Sequence, residues 1–171
     1  MDLISLAKAH IEAENNHSLD QTMATIGPDG AYYKVYANNE TFTSRNDIRT
    51  FYDATMKGLP DMNVEIEHMI QDEESRHVFL QYKFTGTHLG DFSGLPPTGK
   101  RLTYQGAILY QFDENGKLIK EVNYFDKTEI LSSIGLIRDT NTKLGQFLLM
   151  FPQSPFYTLK AAIKSLFRKK Q

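Results

Sequence analysis

The 171-residue sequence predicts one α+β domain, a curved antiparallel sheet with helices gathered on one face, followed by a helical extension. Three observations predict it. Apolar residues recur at helical spacing in two segments before residue 60. From residue 63 to residue 125 they recur at every second position. The turn "DENGK" joins two of these later runs directly, as in an antiparallel meander.

Residues 2–17 place Leu3, Leu6, Ala7 and Ile11 on one helical stripe, which His10 and Glu14 extend. "SLDQTMATI" reads as a second short helix, broken by Gly27, Pro28 and Gly30. "AYYKVY" reads as a strand by its aromatic and β-branched content. Residues 45–58 form the clearest internal helix, with Ser44 as N-cap and Ile48, Phe51, Tyr52 and Met56 on one face. Gly58 and Pro60 end it. In "NVEIEHMIQ", strict alternation puts Val64, Ile66, His68 and Ile70 together. In "RHVFLQYKFTGTH" it puts Val78, Leu80, Tyr82 and Phe84 in phase. "RLTYQGAILYQF" and "KLIKEVNYFD" follow, with Gly116 supplying the positive φ of the turn between them. Residues 127–137 read as a short helix ending near Gly135.

Composition excludes several function classes. Without cysteine there is no disulfide, no thiolate zinc site and no cysteine nucleophile. The first residues carry acids early and do not read as a signal peptide. No apolar run approaches the roughly 18 residues of a membrane span. A cytoplasmic location is expected. Six cations and no acid follow Asp139, so the preceding residues, with 13 cations against 21 acids, carry a net charge of −8. Such a body has no basic face for nucleic acid.

The stretch "GTHLGDFSGLPPTGKRLTY", followed by "FDENGKLIKEVNYFDKTEILSSIGLI", resembles the SnoaL-like polyketide cyclases of the nuclear transport factor 2 (NTF2)-like superfamily. The matching features are a glycine-bounded loop with "PPTGK", the hairpin at "NGK", an Asp, and a short helix ending in Gly. The family's usual Gln-Leu-Gly is here Ser133-Ile134-Gly135. The resemblance covers residues 2–137. It implies a conical α+β barrel, an apolar cavity, dimerisation through the outer sheet face and chemistry without metal or cofactor. In characterised cyclases an Asp at the end of the last long strand acts as general acid/base in an aldol ring closure; the matching position is Asp126.

The candidate catalytic residues are therefore Asp126 and His88. By parity Asp126 shares a face with Leu118, Val122 and Tyr124, with Lys120 interrupting the apolar run. A carboxylate in apolar surroundings has a raised pKa and exchanges protons near neutrality. The alternative is that Asp126 caps the helix that follows it. His88 follows Phe84 and Gly86 in parity and could donate to a substrate carbonyl; the alternative is a histidine satisfied by loop backbone. Phe84, Tyr104, Tyr124, Tyr52 and Tyr82 are the candidate ligand-lining residues, with Tyr33 beside them; the alternative is ordinary core. Asp91 reads as a turn aspartate. His10 and His68 read as core or boundary residues, His17 and His77 as solvated, and Glu12, Glu14 and Glu121 as solvated charges. No His pair has close metal-ligand spacing, so no metal is expected.

Residues 155–170, "PFYTLKAAIKSLFRKK", form a basic amphipathic helix. It either packs on protein or lies on an anionic membrane surface. The expected organisation is thus a domain over 1–137 and a basic extension over 138–171. The expected function is cofactor-independent acid/base chemistry on an apolar, carbonyl-bearing small molecule, by aldol cyclisation or isomerisation through an enolate. The alternative is a pocket that binds without chemistry.

Overall fold

A computed structural model describes residues 2–137 together with Thr142 and Lys143. The chain divides into two units, 1–136 and 137–171. All the elements below belong to the first, and the expected helix over 155–170 lies outside the described residues.

Four helices and six strands follow in the order α1 (Leu3–Asn15), α2 (Leu19–Thr25), β1 (Tyr32–Val35), β2 (Glu40–Phe42), α3 (Arg45–Gly58), β3 (Asn63–Asp72), β4 (His77–Thr87), β5 (Arg101–Phe112), β6 (Leu118–Phe125) and α4 (Lys127–Ser133). The strands form one curved, unclosed sheet in the order β2-β1-β6-β5-β4-β3. The meander from β3 to β6 is antiparallel, as the short turns require. β1 departs from that pattern and joins β6 in parallel, pairing Tyr33 with Glu121 and Val35 with Asn123. No helix among the described residues is long and apolar enough to cross a membrane.

Local chemistry places the helices. Asp2 caps α1 by accepting from the Ser5 amide at 3.1 Å. Leu3, Ala7, His10, Ile11 and Glu14 are all buried, so the stripe seen in the sequence is the face turned to the core. Asn15 donates to the Val64 carbonyl at 2.9 Å and accepts from the Val64 amide at 2.7 Å, docking the end of α1 on edge strand β3. Ser44 caps α3 through the Asp47 amide at 3.1 Å, as its sequence position predicts. Arg45 donates to the carbonyls of Met23, Ile26 and Gly27, closing the C-terminal end of α2 against α3.

Two β-bulges decide which side chains face inward. On β3, Ile66 pairs with Tyr82 but His68 pairs with Gln81, so Glu67 is an extra residue. On β6, Leu118 pairs with Phe112 but Lys120 pairs with Gln111, so Ile119 is extra. An extra residue reverses the phase of everything beyond it. Val64 and Ile66 pack inward, and beyond the bulge Met69 does so. His68 and Ile70, expected on the same face, are exposed. β6 behaves in the same way, with consequences for chemistry.

Candidate active site

β6 carries the site. Leu118 faces the core, and beyond the Ile119 bulge the inward residues are Glu121, Asn123 and Phe125. The expected phase, with Val122, Tyr124 and Asp126 inward, is corrected by that bulge. Tyr124 is 44% exposed and stacks on Tyr36 with ring centroids 4.7 Å apart, away from the cavity. Asp126 is exposed and caps α4, accepting from the Thr128 amide and hydroxyl, each at 2.7 Å. It is not among the cavity-lining residues.

The cavity lies between the sheet and helices α1 and α3. Of the expected lining residues, Phe84, Tyr104, Tyr52 and Tyr82 do line it, and so does Tyr33. Phe84 and Tyr104 stack at 4.9 Å, and Phe125 tilts against Tyr104 at 4.8 Å. The inner space is narrow, about 60 Å³. Phe51, Thr55, Phe92 and Ser93 wall it off from an outer hollow of about 330 Å³ whose rim carries Glu40, Asp47 and Asp91.

His88 has a different place. It is fully buried, its Nδ1 lies 3.2 Å from the Thr98 hydroxyl and its Nε2 3.2 Å from the Leu95 carbonyl. Its backbone pairs with Lys100 and Gly99 at the base of the loop. His88 does not line the cavity; it braces the loop that delivers Phe92 and Ser93 to the wall. Asp91 forms the expected turn, accepting from the Gly94 amide at 3.2 Å. The same loop docks on the end of α3, where a Cβ on Gly58 would lie 2.5 Å from the Asp91 carbonyl oxygen.

Three ionisable side chains converge at the inner end of the cavity. His10, Glu14 and Glu121 offer ligand atoms that all lie within 4.8 Å of one another, and all three residues are buried. The reading of Glu14 and Glu121 as solvated is therefore corrected. Glu14 lies one turn beyond His10 on the buried face of α1, and the bulge turns Glu121 inward. His10 Nε2 sits 3.1 Å from Glu14, 3.6 Å from Glu121 and 3.1 Å from the Tyr52 hydroxyl. Tyr52 in turn donates to Glu121 at 3.1 Å.

The second ring nitrogen fixes the protonation pattern. The Thr25 hydroxyl donates its only proton to the Thr22 carbonyl at 2.6 Å. It must then accept from His10 Nδ1, also at 2.6 Å, so Nδ1 carries a proton. The titrating atom is Nε2, which faces the carboxylates. Burial by itself lowers the pKa of His10, but hydrogen bonds and charge from Glu121 and Glu14 outweigh it and raise the value to about 10. Burial raises Glu121 above the ordinary carboxylate range, and His10 only partly offsets this. The cluster thus holds protons tightly beside an apolar space. The same three ligand atoms could hold a divalent cation, with Nδ1–H orienting the ring, but a cation there competes with the Nε2 proton.

The residues missed by sequence reasoning are Glu14, Glu121, Asn123, Phe92 and Ser93. A signal for the first existed: His10 and Glu14, four residues apart, both extend an apolar helical stripe.

Solved structures share this architecture. AclR from Streptomyces galilaeus, provisionally a hydroxylase, is 21% identical, with a TM-score of 0.71 over 97% of this chain and 96% of that one. IdmH from Streptomyces antibioticus, provisionally a polyketide cyclase, is 20% identical, with a TM-score of 0.66 over 79% of this chain and 99% of that one. A protein with a ketosteroid isomerase-like fold from Catenulispora acidiphila, solved with trimethylamine, is 17% identical, with a TM-score of 0.63 over 76% and 92%. No curated protein matches the sequence. The model of the SnoaL-like polyketide cyclases matches residues 4–134, spanning α1 through α4, and the chain belongs to that family.

Proposed function

We propose that the protein is a cofactor-free acid/base enzyme of the cyclase or isomerase type, with Glu121 as its proton shuttle. The observation that supports this reading most strongly is the buried Glu121 carboxylate, facing an apolar cavity, accepting a hydrogen bond from Tyr52 and ion-paired with His10 at 3.6 Å. Glu121 in its ionised form takes a proton from the carbon next to a substrate carbonyl. The electrons of that C–H bond move into an enolate, whose oxygen carries the negative charge. In a cyclisation the enolate carbon attacks a second carbonyl of the same molecule, and the proton held by Glu121 passes to the new alkoxide. In an isomerisation the proton returns to another carbon. His10, protonated at both nitrogens, offsets the negative charge of Glu121 while that side chain is ionised.

The ligand is expected to be apolar, with rings held against Phe84 and Tyr104. An inner space of about 60 Å³ holds only a handful of waters, so a larger ligand enters by displacing Phe92 and Ser93 from the wall. A homodimer through the outer sheet face also fits. Phe79 and Leu109 pair across β4 and β5 on that face, and Phe79 is 41% exposed.

The test is exchange of the α-protons of acetophenone in D2O, followed by NMR, with binding measured separately. The wild-type chain accelerates exchange, and Glu121→Gln lowers the rate by about 100-fold or more while binding persists. Equal exchange in the two proteins refutes the assignment. Binding without exchange in the wild type leaves a pocket that only binds.

A further inference from the structure

We propose that Asn123 is the donor that binds the substrate carbonyl, set in that role by Tyr82 and by the absence of a side chain at Gly106. The proposal rests on the reading of Glu121 as proton shuttle and adds the group that receives the developing negative charge.

Asn123 stands two residues after Glu121 on the same face of β6, and both line the cavity. Residues two apart on a strand lie about 7 Å apart along it, enough for one group to address a carbonyl oxygen and the other the adjacent C–H. The orientation of the Asn123 amide is dictated from β4. The Tyr82 hydroxyl donates to Asn123 Oδ1 at 2.7 Å. With its oxygen taken, the amide turns its NH2 group elsewhere, and Nδ2 has no protein partner among the described residues. Two N–H donors are thus open beside the acid/base cluster.

Tyr82 reaches Asn123 only because β5 leaves room. Tyr82 pairs with Gly106 across β4 and β5, and Gly106 pairs with Phe125 of β6. A Cβ on Gly106 would lie 2.5 Å from the Tyr82 hydroxyl oxygen and 2.6 Å from Cζ. The phenol therefore lies over the bare backbone of the intervening strand, and any side chain there would displace it. Burial keeps the Tyr82 hydroxyl protonated and so a donor. The substrate class that fits is a ketone or ester with an acidic α-hydrogen, its oxygen toward Asn123 and its α-carbon toward Glu121. The enolate oxygen gains from pre-aimed donors as its charge develops.

Carbonyl-labelled acetophenone tests this with the full chain, by infrared difference spectroscopy and by titration. In the wild type the bound C=O band lies at lower frequency than in Asn123→Ala, and affinity falls about tenfold in that variant, one hydrogen bond's worth. Tyr82→Phe, which leaves the Asn123 side chain in place but frees its orientation, moves the band partway. Glu121→Gln keeps the lowered band while losing α-proton exchange, so the two roles separate. A wild-type band that is not lowered, or the same band and affinity in wild type, Asn123→Ala and Tyr82→Phe, overturns the proposal. Unchanged exchange in Glu121→Gln with a lowered band overturns the shuttle reading instead.

Discussion

Glu121→Gln makes the coupling of proton binding to stability measurable. In the folded chain His10 titrates near 10, against an ordinary value of 6.5. A group whose pKa is raised by folding contributes stability that is complete below the unfolded value and is lost as pH rises through the folded one. Between pH 7.5 and 9.5 the folded state therefore holds close to one proton more than the unfolded state at His10. One proton corresponds to a slope of about 1.4 kcal/mol per pH unit, hence a loss of roughly 3 kcal/mol across that window. Glu121, also raised, acts in the same direction as pH climbs past the ordinary carboxylate range. Removing its charge leaves Glu14, at 3.1 Å, as the only carboxylate against His10 among the described residues. The folded pKa of His10 then falls toward its ordinary value, and the slope flattens. Urea unfolding at pH 7.5, 8.5 and 9.5 measures this, and the variant should equal or exceed the wild type in stability at the highest pH. Parallel stability profiles in the two proteins would refute the electrostatic account of the cluster.

Two further predictions test the register of β6 and the role of its end. Asp126→Ala removes the N-cap of α4 and should cost about 1 kcal/mol in urea unfolding, while acetophenone exchange stays at the wild-type rate; a collapse of exchange with unchanged stability would return Asp126 to the chemistry. Deleting Ile119 removes the extra residue of the bulge and leaves Leu118, Glu121 and Asn123 in strict alternation. The deleted chain should fold with Glu121 still inward and keep its exchange activity, whereas loss of both would show that Ile119 is not the inserted residue.

Apart from β2, three residues long and too short for a period to show, element order and type were legible in the sequence because period and punctuation are local properties. The helical stripe of α1, the Ser44 cap, the alternation of β4 and the turn at Gly116 all survive in the structure. Side-chain direction along β3 and β6 was not legible, because a single bulged residue resets it and neither Glu67 nor Ile119 has a composition that marks a bulge. β6 was harder for a second reason. Its inward residues after the bulge are Glu121, Asn123 and Phe125, and two polar residues in three resemble a solvent face. Alternation rules equate polar with outside, which fails on a strand that lines a reactive cavity. The interruption at Lys120 was the available clue, since a lysine at the middle of an apolar face signals that the assumed phase is wrong.

The same logic explains why the glycine- and proline-rich loop supplies architecture and β6 supplies chemistry. A group that moves protons must hold its position to a fraction of an ångström. Glu121 and Asn123 stand on a strand bonded on both sides, to β1 and β5, and each is further held by a tyrosine from another element, Tyr52 or Tyr82. The loop instead presents Phe92 and Ser93, which need only fill space and move aside. His88, buried and bonded to that loop at both nitrogens, sets where the wall stands without touching what lies behind it. Conserving the loop's anchor while varying Phe92 and Ser93 would change which molecules enter, and the proton chemistry on β6 would remain the same.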